Sequence, residues 1–272
     1  MARQNDTSIT LVQFNSSGDT GKNLELIVSK IREYSSKSDL IIFPEYSMIK
    51  PDYGNRELMV SIAQEEDGNF INTIKDEAKK NKVYVLANYV ESNGSNGKPY
   101  NTSLLIDSLG IIVGKYQKLH LFDSYGMRES NVYNFGRLEP EVHSMNGVNI
   151  GMEICYDIRF PELSRLYALS GSKIITVQAG FFKGDFKVET WRTLLQSIAM
   201  CNGSFIAACG QSGPEFIGHS MLVSPYGKIL YEAGEKSEDI TFNIDLNETT
   251  RYLDSVPVLE ARRRDIYDVR GL

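Results

Sequence analysis

Short apolar runs rich in β-branched residues recur along the chain: Ile9 to Phe14, Leu40 to Phe43, Val83 to Val90, Thr102 to Ile106, Asn149 to Cys155, Lys173 to Gln178, Ser204 to Ala208 and His219 to Val223. Glycine, proline or asparagine punctuates many of their ends, as in the strands of a sheet. Other stretches carry the helical period. Leu24, Ile27, Val28, Ile31 and Tyr34 recur at i, i+3, i+4 and i+7, which predicts one amphipathic helix. Phe70 to Lys80 and Pro161 to Ser170 predict shorter helices, with Pro161 in a first turn where its missing N–H costs nothing. Glu189 to Asn202 predicts another, ending before Gly203.

Strands alternating with helices build βαβ units and a sheet covered by helices, an α/β class. Near Asn101 to Lys118 and again near His219 to Tyr231 the strands follow too closely for a helix between them. Hairpins at Ser108-Leu109-Gly110 and Pro225-Tyr226-Gly227 are expected there, so the sheet is mixed. Asn93-Gly94-Ser95-Asn96-Gly97 reads as an exposed loop too short for a domain linker. With no repeat and no low-complexity block, residues 1–272 read as one domain.

Composition narrows the function classes. The 272 residues carry 29 Lys plus Arg against 35 Asp plus Glu, a formal net charge of −6. A chain built mainly to grip nucleic acid shows a basic excess, so nucleic-acid partners are not expected. No apolar run is long enough for a membrane span, and Met1-Ala2-Arg3-Gln4-Asn5-Asp6 lacks the apolar core of a signal peptide. Three cysteines, Cys155, Cys201 and Cys209, do not make a disulfide framework. A reducing, cytoplasmic address is the expectation.

Three segments end an apolar run on a functional side chain. Leu40-Ile41-Ile42-Phe43-Pro44-Glu45 stops a buried strand at proline and sets a carboxylate where the chain leaves the sheet. Tyr116-Gln117-Lys118-Leu119 places a lysine between apolar groups. Asn149 to Asp157 reads as a strand ending in the thiol of Cys155, and Ile158-Arg159-Phe160-Pro161-Glu162 opens a helix after it. Ligands of α/β sheets bind beyond the carboxyl ends of strands, and a cysteine at a helix start gains acidity from nearby N–H groups. Taken singly, each residue also has a plain reading: Cys155 as a small buried hydrophobe, Glu45 as a helix-start carboxylate, Lys118 as a surface charge. Cys201 and Cys209 sit inside apolar stretches and read as inert. His120, His143 and His219 are isolated, without metal-ligand spacing, so no metal is expected, although a distant Cys–His pair stays open. No dinucleotide or P-loop glycine motif occurs, and no cofactor is expected.

Pro44-Glu45, Lys118 and Glu153-Ile154-Cys155-Tyr156-Asp157-Ile158-Arg159-Phe160-Pro161-Glu162, in that order, resemble the nitrilase superfamily of carbon–nitrogen hydrolases. The resemblance extends through Gly218 to Gly227 and the tail from Val256 to Tyr267. It implies a four-layer α-β-β-α sandwich with two mixed sheets, and assembly into homodimers or higher homo-oligomers. It also implies a Glu45-Lys118-Cys155 triad, a second glutamate at Glu129 in Gly126-Met127-Arg128-Glu129-Ser130, and an oxyanion site using the backbone N–H of Tyr156. Residues 247–272 would then serve oligomer contacts. Tyr156-Asp157 after the cysteine, in place of the Trp-Glu of nitrilases, is similar to the ω-amidase and deaminated-glutathione amidase branch, which acts on small carboxylate-bearing amides. The expected reaction is hydrolysis of such an amide to acid and ammonia through a cysteine acyl-enzyme. Nitrile or N-carbamoyl substrates, acyl transfer from the same intermediate, and a silent scaffold are the alternatives. One departure stands out: where the family commonly has Ala-Arg-Ala-x-Glu-Asn, this chain has Ser197-Ile198-Ala199-Met200-Cys201-Asn202.

Overall fold

In the computed structural model the described residues are 6–94, 97–137 and 139–266. The chain lays down its elements in two rounds. The first comprises β1 (Asp6–Gln13), α1 (Thr20–Tyr34), β2 (Leu40–Ile42), α2 (Arg56–Ile62), α3 (Asn69–Asn81), β3 (Tyr84–Glu91), β4 (Tyr100–Ile106) and β5 (Ile112–Gln117). The second comprises β6 (His143–Met145), β7 (Val148–Ile154), α4 (Pro161–Leu169), β8 (Ile174–Ala179), α5 (Lys187–Asn202), β9 (Phe205–Gly210), β10 (Met221–Val223) and β11 (Ile229–Glu232). β12 (Glu238–Asp245) and α6 (Asn247–Ser255) follow.

The first round together with β12 builds one sheet of six strands, and the second round builds the other. Their orders are β12-β1-β2-β3-β4-β5 and β11-β10-β9-β8-β7-β6. β1, β2 and β3 run parallel, as do β7, β8 and β9, and the helices occupy the crossovers that parallel strands require. The remaining pairs are antiparallel, including the two expected hairpins, so both sheets are mixed. β12 closes the circuit by pairing with β1 from Asp6↔Asp245 to Gln13↔Glu238.

The strand period of two sorts side chains into layers. Ile9, Leu11, Leu40, Ile42, Leu86 and Leu105 point from the first sheet into a core shared with Ile150, Met152 and Ile154 of the second. Their neighbours Val12, Ile41, Val85, Ala87 and Leu104 point the other way, onto Ile27 and Ile31 of α1 and Phe70, Ile71 and Ile74 of α3. α4 and α5 cover the second sheet with Leu163, Tyr167, Trp191 and Leu195. The result is the four-layer α-β-β-α sandwich.

Local chemistry agrees with these boundaries. Asp19 caps α1, its carboxylate accepting from the N–H of Gly21 at 2.9 Å and Lys22 at 3.2 Å. Pro161 occupies the first turn of α4, and Gly203, at φ 66°, closes α5. Two boundaries differ from the sequence reading in ways that matter below. β4 starts at Tyr100, which brings Asn101 into the sheet, and α5 starts at Lys187. Cys201 is exposed on α5, whereas Cys209 is buried. The first part of the tail packs on its own chain: Tyr252 is buried and its hydroxyl donates to the carbonyl of Met200 at 2.7 Å. Residues 267–272 lie outside the described residues.

Candidate active site

The chain segments that follow β2, β5 and β7 converge. Phe43 and Pro44 carry the chain from β2 to Glu45, which is fully buried. The backbone there is held from three directions. Gln178 Nε2 donates to the carbonyl of Phe43 at 2.5 Å, Gln211 Nε2 to that of Glu45 at 2.9 Å, and the N–H of Tyr46 to Asn88 Oδ1 at 2.7 Å. Tyr46 adopts a left-handed φ of 63°, so the chain turns sharply after the glutamate. Gly180 lets the second sheet come close: its N–H reaches Glu45 Oε2 at 2.7 Å. A Cβ at Gly180 would stand 2.5 Å from the Tyr46 ring, which explains the glycine.

Lys118 follows β5 and is buried. Its Nζ donates to Glu45 Oε1 and to Glu129 Oε2, both at 2.8 Å. An ammonium has three N–H groups, so one is left after these bonds. Glu129 opens a single 3₁₀ turn, Glu129–Asn131, and is fully buried, not a solvated partner of Arg128. Its Oε2 also accepts from the N–H of Phe122 at 2.7 Å. Asn101 ties the two carboxylates together: its Nδ2 donates to Glu45 Oε1 at 2.9 Å and to Glu129 Oε1 at 3.1 Å. Asn88 orients Asn101 in turn, with Nδ2 on Asn101 Oδ1 at 2.8 Å.

Cys155 ends β7 and begins the 3₁₀ turn Cys155–Arg159 at φ 50°. A non-glycine residue in that region persists when its surroundings over-determine it. Asp157 supplies the constraint. Its carboxylate accepts from the N–H of Ile154 at 2.9 Å, the Tyr116 hydroxyl at 2.8 Å and the N–H of His120 at 3.1 Å, and it meets His120 Nδ1 at 2.8 Å. The His120 ring stacks on Phe160 at 3.6 Å, closing the turn from outside.

The charges explain the proton affinities. Burial raises the Cys155 thiol well above its ordinary value and Glu45 adds to this, while Lys118 opposes. Burial works against the Lys118 ammonium, but Glu129 and Glu45 outweigh it and hold it well above its usual range. Burial raises Glu129, against the pull of Lys118. At rest the cluster is therefore a protonated thiol beside an ammonium held by carboxylates. Glu45 is the carboxylate that acts most strongly on the thiol, which gives its proton a destination.

Beside the thiol lies a cavity of about 10 Å³, lined by Tyr46, Phe122, Tyr156, Phe181 and Phe182 among others. Two cations border it. The guanidinium of Arg159 lies 6.0 Å from the Phe181 ring centre, and Lys187 Nζ lies 4.2 Å from Tyr125, 5.4 Å from Phe181 and 5.7 Å from Phe122. Among the described residues neither has a carboxylate within salt-bridge distance. Among the same residues no group of three His, Cys, Asp or Glu side chains is arranged to hold a metal ion.

The structure thus brings together Glu45, Lys118, Glu129 and Cys155, with Tyr156 next to the thiol in the 3₁₀ turn. Sequence reasoning missed Asn101, Asn88, Gly180 and Lys187. The signal for Asn101 was an amide directly before an apolar run; Lys187 carried none beyond its charge.

A chain of this fold, with a glutamate-held lysine beside a strand-end cysteine, also matches known proteins. The carbon-nitrogen hydrolase family model matches residues 8–253. The chain is 30% identical to 2-oxoglutaramate amidase of Bacillus subtilis over 96% of its own length and 99% of that protein. It is 30% identical to deaminated glutathione amidase of Escherichia coli over 89% and 92% of the two chains. The fold matches a carbon-nitrogen hydrolase from Helicobacter pylori with a TM-score of 0.89, at 22% identity and over 96% and 97% of the chains. The chain belongs to the carbon–nitrogen hydrolase family. It is a hydrolase of carbon–nitrogen bonds. No helix among the described residues is long and apolar enough to cross a membrane.

Proposed function

We propose that this hydrolase converts small amides to acid and ammonia through a thioester on Cys155. The observation that carries the reading is the buried junction at Lys118, whose Nζ meets Glu45 and Glu129 at 2.8 Å each beside the buried Cys155 thiol. As Cys155 Sγ attacks the amide carbon, the thiol proton passes to Glu45. The C=O π pair moves to oxygen, and the remaining N–H of Lys118 and the backbone N–H of Tyr156 stabilise the oxyanion. Such fixed donors are worth about 3–4 kcal/mol each. The C–N bond then breaks, and ammonia leaves with the proton from Glu45. Water attacks the thioester as Glu45 takes its proton, the C–S bond then breaks to release the acid, and returning that proton to the departing sulfur regenerates the thiol. Glu129 keeps Lys118 in place and shuttles no proton.

Two features favour a carboxylate-bearing amide. The relatives' names specify 2-oxoglutaramate and deaminated glutathione, and Arg159 and Lys187 give the mouth of the cavity positive charge with no acidic partner among the described residues. We also infer a cytoplasmic address, in keeping with three free cysteines. We further infer a homodimer or higher homo-oligomer, because Leu169 of α4, Met200 of α5 and Val256 after α6 are exposed apolar residues.

The test is ammonia release from a panel of ω-amides, aliphatic amides, N-carbamoyl amino acids and nitriles, with and without amine acceptors. The wild type should release ammonia from the amides and form an acyl adduct on Cys155 visible by intact mass, and Cys155→Ala should do neither. Activity retained in Cys155→Ala, an adduct on Cys201 or Cys209, or turnover of nitriles alone would overturn the reading.

A further inference from the structure

We infer that Lys187 selects for an anionic tail on the substrate, and that it leaves a seat of aromatic rings to do so. The inference rests on the amidase reading and adds to it the residue that sets substrate class.

The first observation is space. The cavity beside Cys155 measures about 10 Å³, roughly one water by the usual measure. An amide of several heavy atoms does not fit unless part of the lining moves. Tyr46, Phe122 and Phe181 are buried in packed surroundings. Glu45, Lys118 and Glu129 are tied by hydrogen bonds. The ammonium end of Lys187 has no such tie, and neither has Tyr125 beneath it, which is 77% exposed and precedes Gly126 at φ 80°.

The second observation is what Lys187 touches. Its ammonium meets ring faces, at 4.2 Å from Tyr125 and 5.4 Å from Phe181. A ring face holds a cation more weakly than a desolvated carboxylate does. Burial and the nearby Arg159 guanidinium both disfavour the charge on Lys187, and hold its proton affinity below the ordinary value. An anion arriving between Lys187 and Arg159 relieves that repulsion and supplies the missing acceptor. One displacement therefore opens the cavity and pairs the charge. A neutral amide of equal length gains only the first half of this exchange.

The third observation is position. Lys187 begins α5 directly after Phe186, which is 77% exposed and left-handed at φ 58°. The stem of the side chain is fixed by the helix while its end is held only by rings, so the end can move without unfolding α5.

The experiment compares kcat/KM for glutaramate and pentanamide, which share a chain length and differ in the terminal carboxylate. It uses wild type, Lys187→Met and Lys187→Arg, with methionine chosen because it fills an aromatic seat well. The ratio of the two constants should fall about 10- to 100-fold in Lys187→Met, the size of losing one hydrogen bond to a charged group. The loss should lie mainly in KM for glutaramate, and Lys187→Arg should keep most of the ratio. A structural defect would instead lower both substrates together and leave the ratio alone. An unchanged ratio in Lys187→Met, with amides still hydrolysed, would overturn the inference and spare the amidase reading. Absence of ammonia from every amide with wild type would overturn the amidase reading and this inference with it.

Discussion

Replacing Glu153 by glutamine should stabilise the protein, by an amount that grows with pH. Glu153 lies on β7 and contacts the helix layer, where its Oε1 accepts from the hydroxyl of Ser164 on α4 at 2.5 Å. Among the described residues its Oε2 is buried without a partner and no cation is paired with it. Burial raises its pKa from 4.5 to about 8, with Ser164 opposing and Asp157 adding. Below about pH 4.5 the carboxyl is protonated folded or unfolded, and it imposes no penalty. Between 4.5 and 8 the unfolded chain gives up the proton while the folded chain keeps it, so stability falls as pH rises. At ~1.4 kcal/mol per pH unit, the penalty reaches about 3 kcal/mol at pH 7 and about 5 kcal/mol above pH 8. That is a large fraction of the ~5–15 kcal/mol by which domains are stable. Glutamine keeps the acceptor for Ser164 and never ionises. Its amide meets the same empty side as the acid O–H, so wild type and variant should agree within about 1 kcal/mol near pH 4.5. Urea unfolding of both proteins at pH 5, 6, 7, 8 and 9 measures the difference. A gap that widens to pH 8 and then levels supports the argument. A gap that is flat across the range would refute it.

Glu129→Gln should lower kcat/KM about tenfold or more while Cys155 still reacts with iodoacetamide, as expected of a group that orients Lys118; a loss under about twofold would remove it from the site. Asn101→Leu should cut kcat about tenfold or more, because it leaves Glu129 Oε1 without its donor and Glu45 Oε1 with Lys118 alone, and unchanged turnover would show that Lys118 alone sets the geometry. Cys201→Glu should raise stability by about 0.5–1 kcal/mol, since Arg165 lies near Cys201 with a buried, unpartnered Nη1; an unchanged melting temperature would reject that pairing. Light scattering at micromolar concentration should give at least twice the 30.6 kDa chain mass, and Leu169→Glu with Met200→Glu should reduce it to one chain; a monomeric wild type would reject assembly.

Residues that end an apolar run are the ones whose position could be read from the sequence. Leu40 to Phe43, Tyr116-Gln117 and Asn149 to Ile154 announce strands, and the groups just beyond them, Glu45, Lys118 and Cys155, fall where strands open onto a site. Glu129 has no such marker: it lies in a loop with a single 3₁₀ turn, and only family resemblance pointed to it. Asn101 hid for a different reason. An amide reads as the end of an apolar run, yet β4 continues through it because Asn88 and the carboxylates supply partners that the local pattern cannot show. α2 and β6 are too short to display a period. β12 does show one, in Ile240, Phe242 and Ile244, but its partner is β1 at the other end of the chain, and such pairing is not written in either segment alone.

The same distinction separates how the site is made from what it selects. Glu45, Lys118, Glu129 and Cys155 form a cluster in which each charged group is poorly placed alone and tolerable together. The lysine keeps its proton because two carboxylates face it, and the thiol keeps its proton because it is buried, with Glu45 and Glu129 adding to that effect against Lys118. Removing any one member therefore changes the proton affinity of the rest, and single substitutions there should not add. Lys187 stands outside that cluster. It has ring faces in place of carboxylate partners, so its removal changes which substrate is held and leaves the charge balance around Lys118 largely in place. Substitutions at Lys187 and Glu129 should accordingly combine additively in kcat/KM for glutaramate, whereas Glu129 and Asn101, which share a hydrogen bond at 3.1 Å, should not. A double variant of Lys187 and Glu129 that departs strongly from additivity would mean that the cation at the mouth is coupled to the buried cluster after all, and that substrate choice and thiol activation cannot be varied separately in this fold.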